Sequence, residues 1–175
     1  MTTVASLKRR FAAMIYESLL VMAVGFFAAA LAGIMDTVIV RMLPNLAFLT
    51  PILTVFLMLY AWWLYFKSSW KTAGQTLPMS VWKIALRTTH NELPHIKRLR
   101  MRFAWAVVFL LFIPLMVYYF ARYFLTLPVK ISTLLALLWW GLPWGFAFFH
   151  PRRQFLYDYL AGTELLDVAH EQNQK

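Results

Sequence analysis

Cysteine is absent from the 175 residues, which excludes disulfides and thiolate metal sites and says nothing about compartment. Charge is scarce. Only 14% of residues are charged, and the seven acids are outnumbered by seventeen Lys and Arg; soluble domains carry roughly a quarter of their residues as charges. Glycine is scarce too, with six residues and no Gly-rich run. Gly74-Gln75-Thr76 lacks the Lys-Ser/Thr ending of a phosphate loop. The four histidines (His90, His95, His150, His170) have no ligand-like spacing, so we expect no metal and no cofactor. No nucleophile stands beside a plausible base, and the expectation is that the chain is not an enzyme.

What is present is apolar surface. Hydrophobic residues make up 62% of the chain and aromatics 18%, more than one soluble domain of this length can bury. Lipid is the solvent that accommodates the excess. The net charge of +10 would suggest nucleic acid if it covered one soluble face. It lies instead beside apolar runs, where Lys and Arg set membrane orientation, so no nucleic-acid partner is expected. The first apolar run is too long for the core of a cleavable signal and lacks a small-x-small cleavage pattern.

Taken in order, the chain predicts an all-α membrane protein of four spans, at about 11–35, 46–66, 103–127 and 131–149. The first contains Gly25, Ala28, Ala29, Ala32 and Gly33 at helical spacing, a face that admits close helix packing. Asp36 to Asn45 reads as a short loop. The second span ends in Tyr60, Trp62, Trp63, Tyr65 and Phe66, an interfacial aromatic belt. A polar loop follows over 67–102. In it Trp82, Ile84 and Leu86 alternate with Lys83 and Arg87 as in a strand, while Leu77, Val81 and Ile84 also fit a helix face; both readings stand. Asn91 to Pro94 is a turn or helix start, and His95–Arg102 is a basic amphipathic lead-in with Ile96, Leu99 and Phe103 on one face. Pro114 predicts a kink, and Gly141, Pro143 and Gly145 a bend or an unwound turn. The tail, 150–175, is polar and amphipathic.

Fourteen of the seventeen Lys and Arg fall in the N-terminus, the 67–102 loop and the tail; Arg41, Arg122 and Lys130 lie on the other side. That asymmetry predicts cytoplasmic termini and a basic cytoplasmic central loop.

Three strings add a resemblance. Arg10-Phe11-Ala12-Ala13-Met14-Ile15-Tyr16-Glu17, then Gly74-Gln75-Thr76-Leu77 to Trp82-Lys83-Ile84, then Arg153-Gln154-Phe155-Leu156-Tyr157-Asp158-Tyr159-Leu160-Ala161-Gly162-Thr163 together resemble the RDD family of bacterial membrane proteins, named for one Arg and two Asp. The strings occur in family order and bracket nearly the whole chain. The resemblance implies an inner-membrane location and, from some members, sodium–proton antiport. Here Glu17 replaces the first Asp, and Pro78 and Tyr157 replace a usual Gly and His.

Arg10 and Glu17 are two helical turns apart, about 10 Å along one face. An acid at that depth must be paired, protonated or wetted. The expected partners are Arg9, Arg10, Arg152 and Arg153, with Asp158 meeting Arg10 at the same surface. One reading makes Glu17 a proton- or cation-handling carboxylate, with Arg10 and Asp158 shaping its mouth and a homo-oligomer completing the path. A plainer one makes the three a polar lock between the first and fourth spans. A different class of function is an accessory subunit of a larger membrane complex, docking through Gly25, Ala29 and Gly33. A further reading assigns Lys97, Arg98, Arg100 and Arg102 to anionic lipid headgroups.

Overall fold

The computed structural model describes residues 4–169. Four helices are long and apolar enough to cross a membrane: Leu7–Met42, Pro44–Val81, Ile96–Phe124 and Val129–Phe149. Each coincides with one of the predicted runs and starts earlier than predicted; the first two also end later, the third ends three residues earlier, and the fourth ends as predicted.

Helix α1 (Leu7–Met42) is 36 residues long, about 54 Å at 1.5 Å per residue, which exceeds a hydrocarbon core of about 30 Å. The predicted loop from Asp36 is therefore helical as far as Met42. A 3-10 turn, Pro44–Leu49, leads into α2 (Thr50–Ala73), whose first turn contains Pro51, where a missing N–H costs nothing. Helix α2 runs past its aromatic belt and stops at Gly74, which has φ +68° and donates its N–H to the Trp70 carbonyl.

The segment predicted as a loop is built. Helix α3 (Leu77–Val81) begins on a Thr76 cap, and β1 (Ile84–Thr88) follows, so the helix reading holds for the first half and the strand reading for the second. Helix α4 (Ile96–Val107) starts on His95, whose Nδ1 accepts the Lys97 N–H at 3.4 Å. After the fourth span come α8 (Leu156–Ala161) and β2 (Thr163–Asp167). Strands β1 and β2 pair antiparallel, with Ile84 opposite Asp167 and Thr88 opposite Thr163. Val4 bridges Leu166, and the Ala5 N–H reaches the Leu165 carbonyl at 3.1 Å. The chain is mostly helical, as expected, and this two-stranded sheet is the part that the all-α expectation leaves out. Strand β1 carries the alternation that suggested it, but β2 leaves no local signature: Thr163, Glu164, Leu165 and Leu166 are all buried, so no inside–outside alternation betrays it, and its partner lies some eighty positions away.

The third span is not a plain kinked helix. Between α4 and α5 (Ile113–Tyr119) lies a π turn, Val108–Phe112, and a second one, Phe120–Phe124, follows α5. Pro114 cannot donate to the Leu110 carbonyl one turn back, and the wider turn makes room for its ring. The fourth span supplies the missing donors. Trp139 Nε1 donates to the Phe109 carbonyl at 3.1 Å, and Trp140 Nε1 to the Leu110 carbonyl at 3.0 Å. In hydrocarbon no water could do this. The two tryptophans lie at the end of α6 (Val129–Trp139), and α7 (Gly141–Phe149) continues with Trp140 still in helical conformation. The Gly-Pro string is a bend, not an unwound turn.

Helix α1 packs on α2, and α5 on α6, giving two hairpins. The small-residue face of α1 is split: Gly25, Ala28 and Ala32 are buried, whereas Ala29 and Gly33 face outward. Trp62 lies against Gly25 and donates its Nε1 to the Val21 carbonyl at 3.0 Å. The hairpins join at the basic end, where α2 meets α4 and where α8 packs under α4 and α7. There Ala13, Trp70, Leu86, Leu99, Phe155 and Leu165 form one core. Farther along, Phe26, Phe27, Leu31 and Phe120 are exposed, as expected of surfaces that meet lipid.

Candidate functional site

The core at the basic end encloses a cluster of charges. Glu17 is half-buried on α1 and accepts two hydroxyl hydrogen bonds, one from Tyr65 Oη to Oε1 at 2.6 Å and one from Thr76 Oγ1 to Oε2. Tyr65 comes from α2 and Thr76 from the turn after Gly74. Thr76 Oγ1 also accepts the Met79 N–H at 3.4 Å, so the residue that caps α3 is the one that grips Glu17. Gln75 ties the same turn to β1 through the Ile84 carbonyl at 2.9 Å. Within the Gly74-Gln75-Thr76 string, then, the glycine reverses the chain, the glutamine clamps the turn to the strand, and the threonine donates to the carboxylate.

Asp158, on α8, is almost completely buried (1% exposed). Its Oδ1 accepts from Arg102 Nε at 2.5 Å. The Arg102 guanidinium lies 4.3 Å from the Trp70 ring centre and 5.6 Å from that of Tyr157, so the cation is held between π faces as well as by the carboxylate. Arg102 also supplies the positive charge whose field reaches Glu17. Among the described residues Asp158 Oδ2 has no hydrogen-bond partner. Burial, and then the adjacent Asp158 charge, push the Tyr157 phenol up, so Tyr157 stays neutral at physiological pH where a histidine would titrate.

Arg10 is buried on α1 and spans the closing segment of the chain. It donates to the Arg153 carbonyl and, at 2.7 Å, to the Leu165 carbonyl, and its Nε has no partner among the described residues. Its charge faces Asp158 and Glu164. Two further ion pairs rim the cluster, Arg152 with Glu164 and Arg9 with Asp167. Arg9 also donates to the Trp82 and Lys83 carbonyls, which holds α1 to the turn before β1.

The structure therefore brings Arg10, Glu17 and Asp158 into one cluster but pairs them differently from expectation. Glu17 takes neutral hydroxyls rather than Arg9, Arg10, Arg152 or Arg153: Arg9 and Arg10 are engaged by backbone carbonyls and Asp167, Arg152 by Glu164, and Arg153 is exposed. Asp158 pairs with Arg102 rather than Arg10. Arg102, assigned from sequence to lipid headgroups, turns inward. Lys97, Arg98 and Arg100 are exposed, and Arg98 donates to the Gly162 carbonyl at 3.0 Å. Trp70 and Glu164 escaped sequence reasoning, and Tyr65 entered it only as part of the interfacial belt, not as a partner of Glu17. A signal for Arg102 was present: it lies three residues after Leu99 and one before Phe103, on the apolar face of α4. His170 lies outside the described residues.

No curated protein and no solved structure matches the chain. The sequence pattern of the RDD family matches residues 4–162, a stretch that begins just before Arg10 and includes Glu17, the Gly74-Gln75-Thr76 turn, Arg102 and Asp158. With the four spans and this cluster in place, the match settles the lineage: the chain belongs to the RDD family.

Proposed function

We propose that the protein is a multi-pass component of a bacterial cytoplasmic membrane, with both termini and the 67–102 segment cytoplasmic, that moves a small cation or a proton. In this reading Glu17 carries the charge, and Arg10, Arg102 and Asp158 shape its cytoplasmic mouth. One observation carries it: Glu17 is a span-embedded carboxylate held by two neutral hydroxyls, and among the described residues it forms no ion pair. An acid at this depth that contacts no cation is left to protonation or water, the two states that a proton- or cation-handling group moves between. Hydroxyls donate to an ionised carboxylate and can rotate to accept from a protonated one, so the site tolerates both states.

Along α1 there is no ionisable side chain between Glu17 and Asp36, a gap of about 28 Å. We infer that a path is completed by a second copy of the chain. The test is flux in proteoliposomes after native mass spectrometry has established the particle. Glu17→Gln is expected to abolish cation or proton flux while expression is retained; undiminished flux would refute the reading. The accessory-subunit alternative has less to rest on, since Gly25, one of its three docking residues, is already occupied by Trp62.

A further inference from the structure

We propose that the space between the Trp70 and Tyr157 rings, closed at one edge by Asp158, is a binding site for a monovalent cation of the guanidinium class, with Arg102 as its tethered occupant. The inference rests on the transport reading only for what the site is used for, not for its existence.

Two aromatic faces and a carboxylate are the recognition set for a delocalised cation. The set is assembled from two elements, Trp70 on α2 and Tyr157 with Asp158 on α8, and the occupant arrives from a third, α4. The tether limits the fit. Arg102 reaches Asp158 through Nε on Oδ1 alone, while Oδ2 stays buried and, among the described residues, unpartnered. A free guanidinium, unconstrained by a side chain, can present two parallel N–H groups and engage both oxygens. The site therefore offers a free cation one more acceptor than its built-in occupant uses.

Displacement also leaves no charge stranded. The Arg102 field already reaches Glu17, which is bound by neutral hydroxyls only. When a mobile cation takes Asp158, the Arg102 charge faces Glu17, the half-buried carboxylate that only hydroxyls hold, so neither carboxylate is left without a positive charge nearby. Exchange of one cation for one guanidinium at Asp158 makes the site selective for single charge, because a divalent ion would leave an uncompensated positive charge beside Arg102 and Arg10.

The test uses the purified full chain in detergent and the Arg102→Ala variant. The variant is expected to lose roughly 10 °C in Tm, and low-millimolar guanidinium chloride is expected to restore most of it, with no gain from urea, the neutral isostere. Recovery by urea as well, or by neither compound, would overturn the proposal. If Arg102→Ala does not yield folded protein, the wild type serves: the Trp70 contribution to emission, taken as the difference from Trp70→Phe, should change on titration with methylguanidinium and not with methylurea. No change with either would overturn it equally. Guanidinium rescue in a protein that shows no flux would leave this site standing and refute the transport reading instead.

Discussion

At the scale of single residues, Asp158 and Arg102 make the sharpest prediction. Asp158→Asn leaves the Arg102 charge buried without its carboxylate, a loss of about 3–5 kcal/mol for a broken buried pair. The double variant Asp158→Asn with Arg102→Gln removes both charges and should recover most of that stability. A thermal melt of the two variants side by side checks it; a double variant as unstable as the single would show that the pair does not act as a unit. The three residues Arg10, Glu17 and Asp158 were legible in the sequence because charges stand out against apolar runs and fall within the family strings. Their pairing was not. Arg102 sits among like charges, 56 residues from Asp158, and only its position relative to Leu99 and Phe103 separates it from its exposed neighbours.

Elements obey a second accounting, that of backbone donors in a medium without water. The Phe109 and Leu110 carbonyls beside Pro114 are served by the Trp139 and Trp140 indoles. Replacing both tryptophans by Phe should cost about 1–3 kcal/mol per carbonyl left unsatisfied. Trp144 offers the control: its Nε1 is buried without a partner among the described residues, so Trp144→Phe should melt within about 1 kcal/mol of wild type by the same assay. Gly74 is the other element-scale hinge. A Cβ there would sit 2.6 Å from the Leu86 carbonyl oxygen, on a backbone of positive φ. Gly74→Ala should therefore destabilise by at least about 2 kcal/mol, a fall in Tm of about 4–8 °C, and should release Thr76 from Glu17. The four spans were readable from hydropathy and length alone. The π turns were not, since one proline is equally consistent with a simple kink, and the carbonyls it disturbs are answered from another helix.

For the whole molecule, the proposed orientation has a direct test because the chain contains no cysteine. Lys97→Cys and Lys130→Cys each introduce one thiol, at opposite ends of the bundle. In intact cells a membrane-impermeant maleimide should label only the Lys130→Cys variant; labelling of Lys97→Cys would invert the topology.

The small sheet has a consequence for how the protein is made. Val4 and Ala5 are bonded to Leu166 and Leu165, and Arg10 finds its acceptors at Arg153 and Leu165. A ribosome adding about 5–20 residues per second emits those acceptors roughly ten seconds or more after Arg10. During that interval the first helix sits in the membrane with its buried cation unanswered. Residues translated long after Arg10 are thus the ones that license it, and a chain stopped before Thr163 should be recognised as unfinished and degraded.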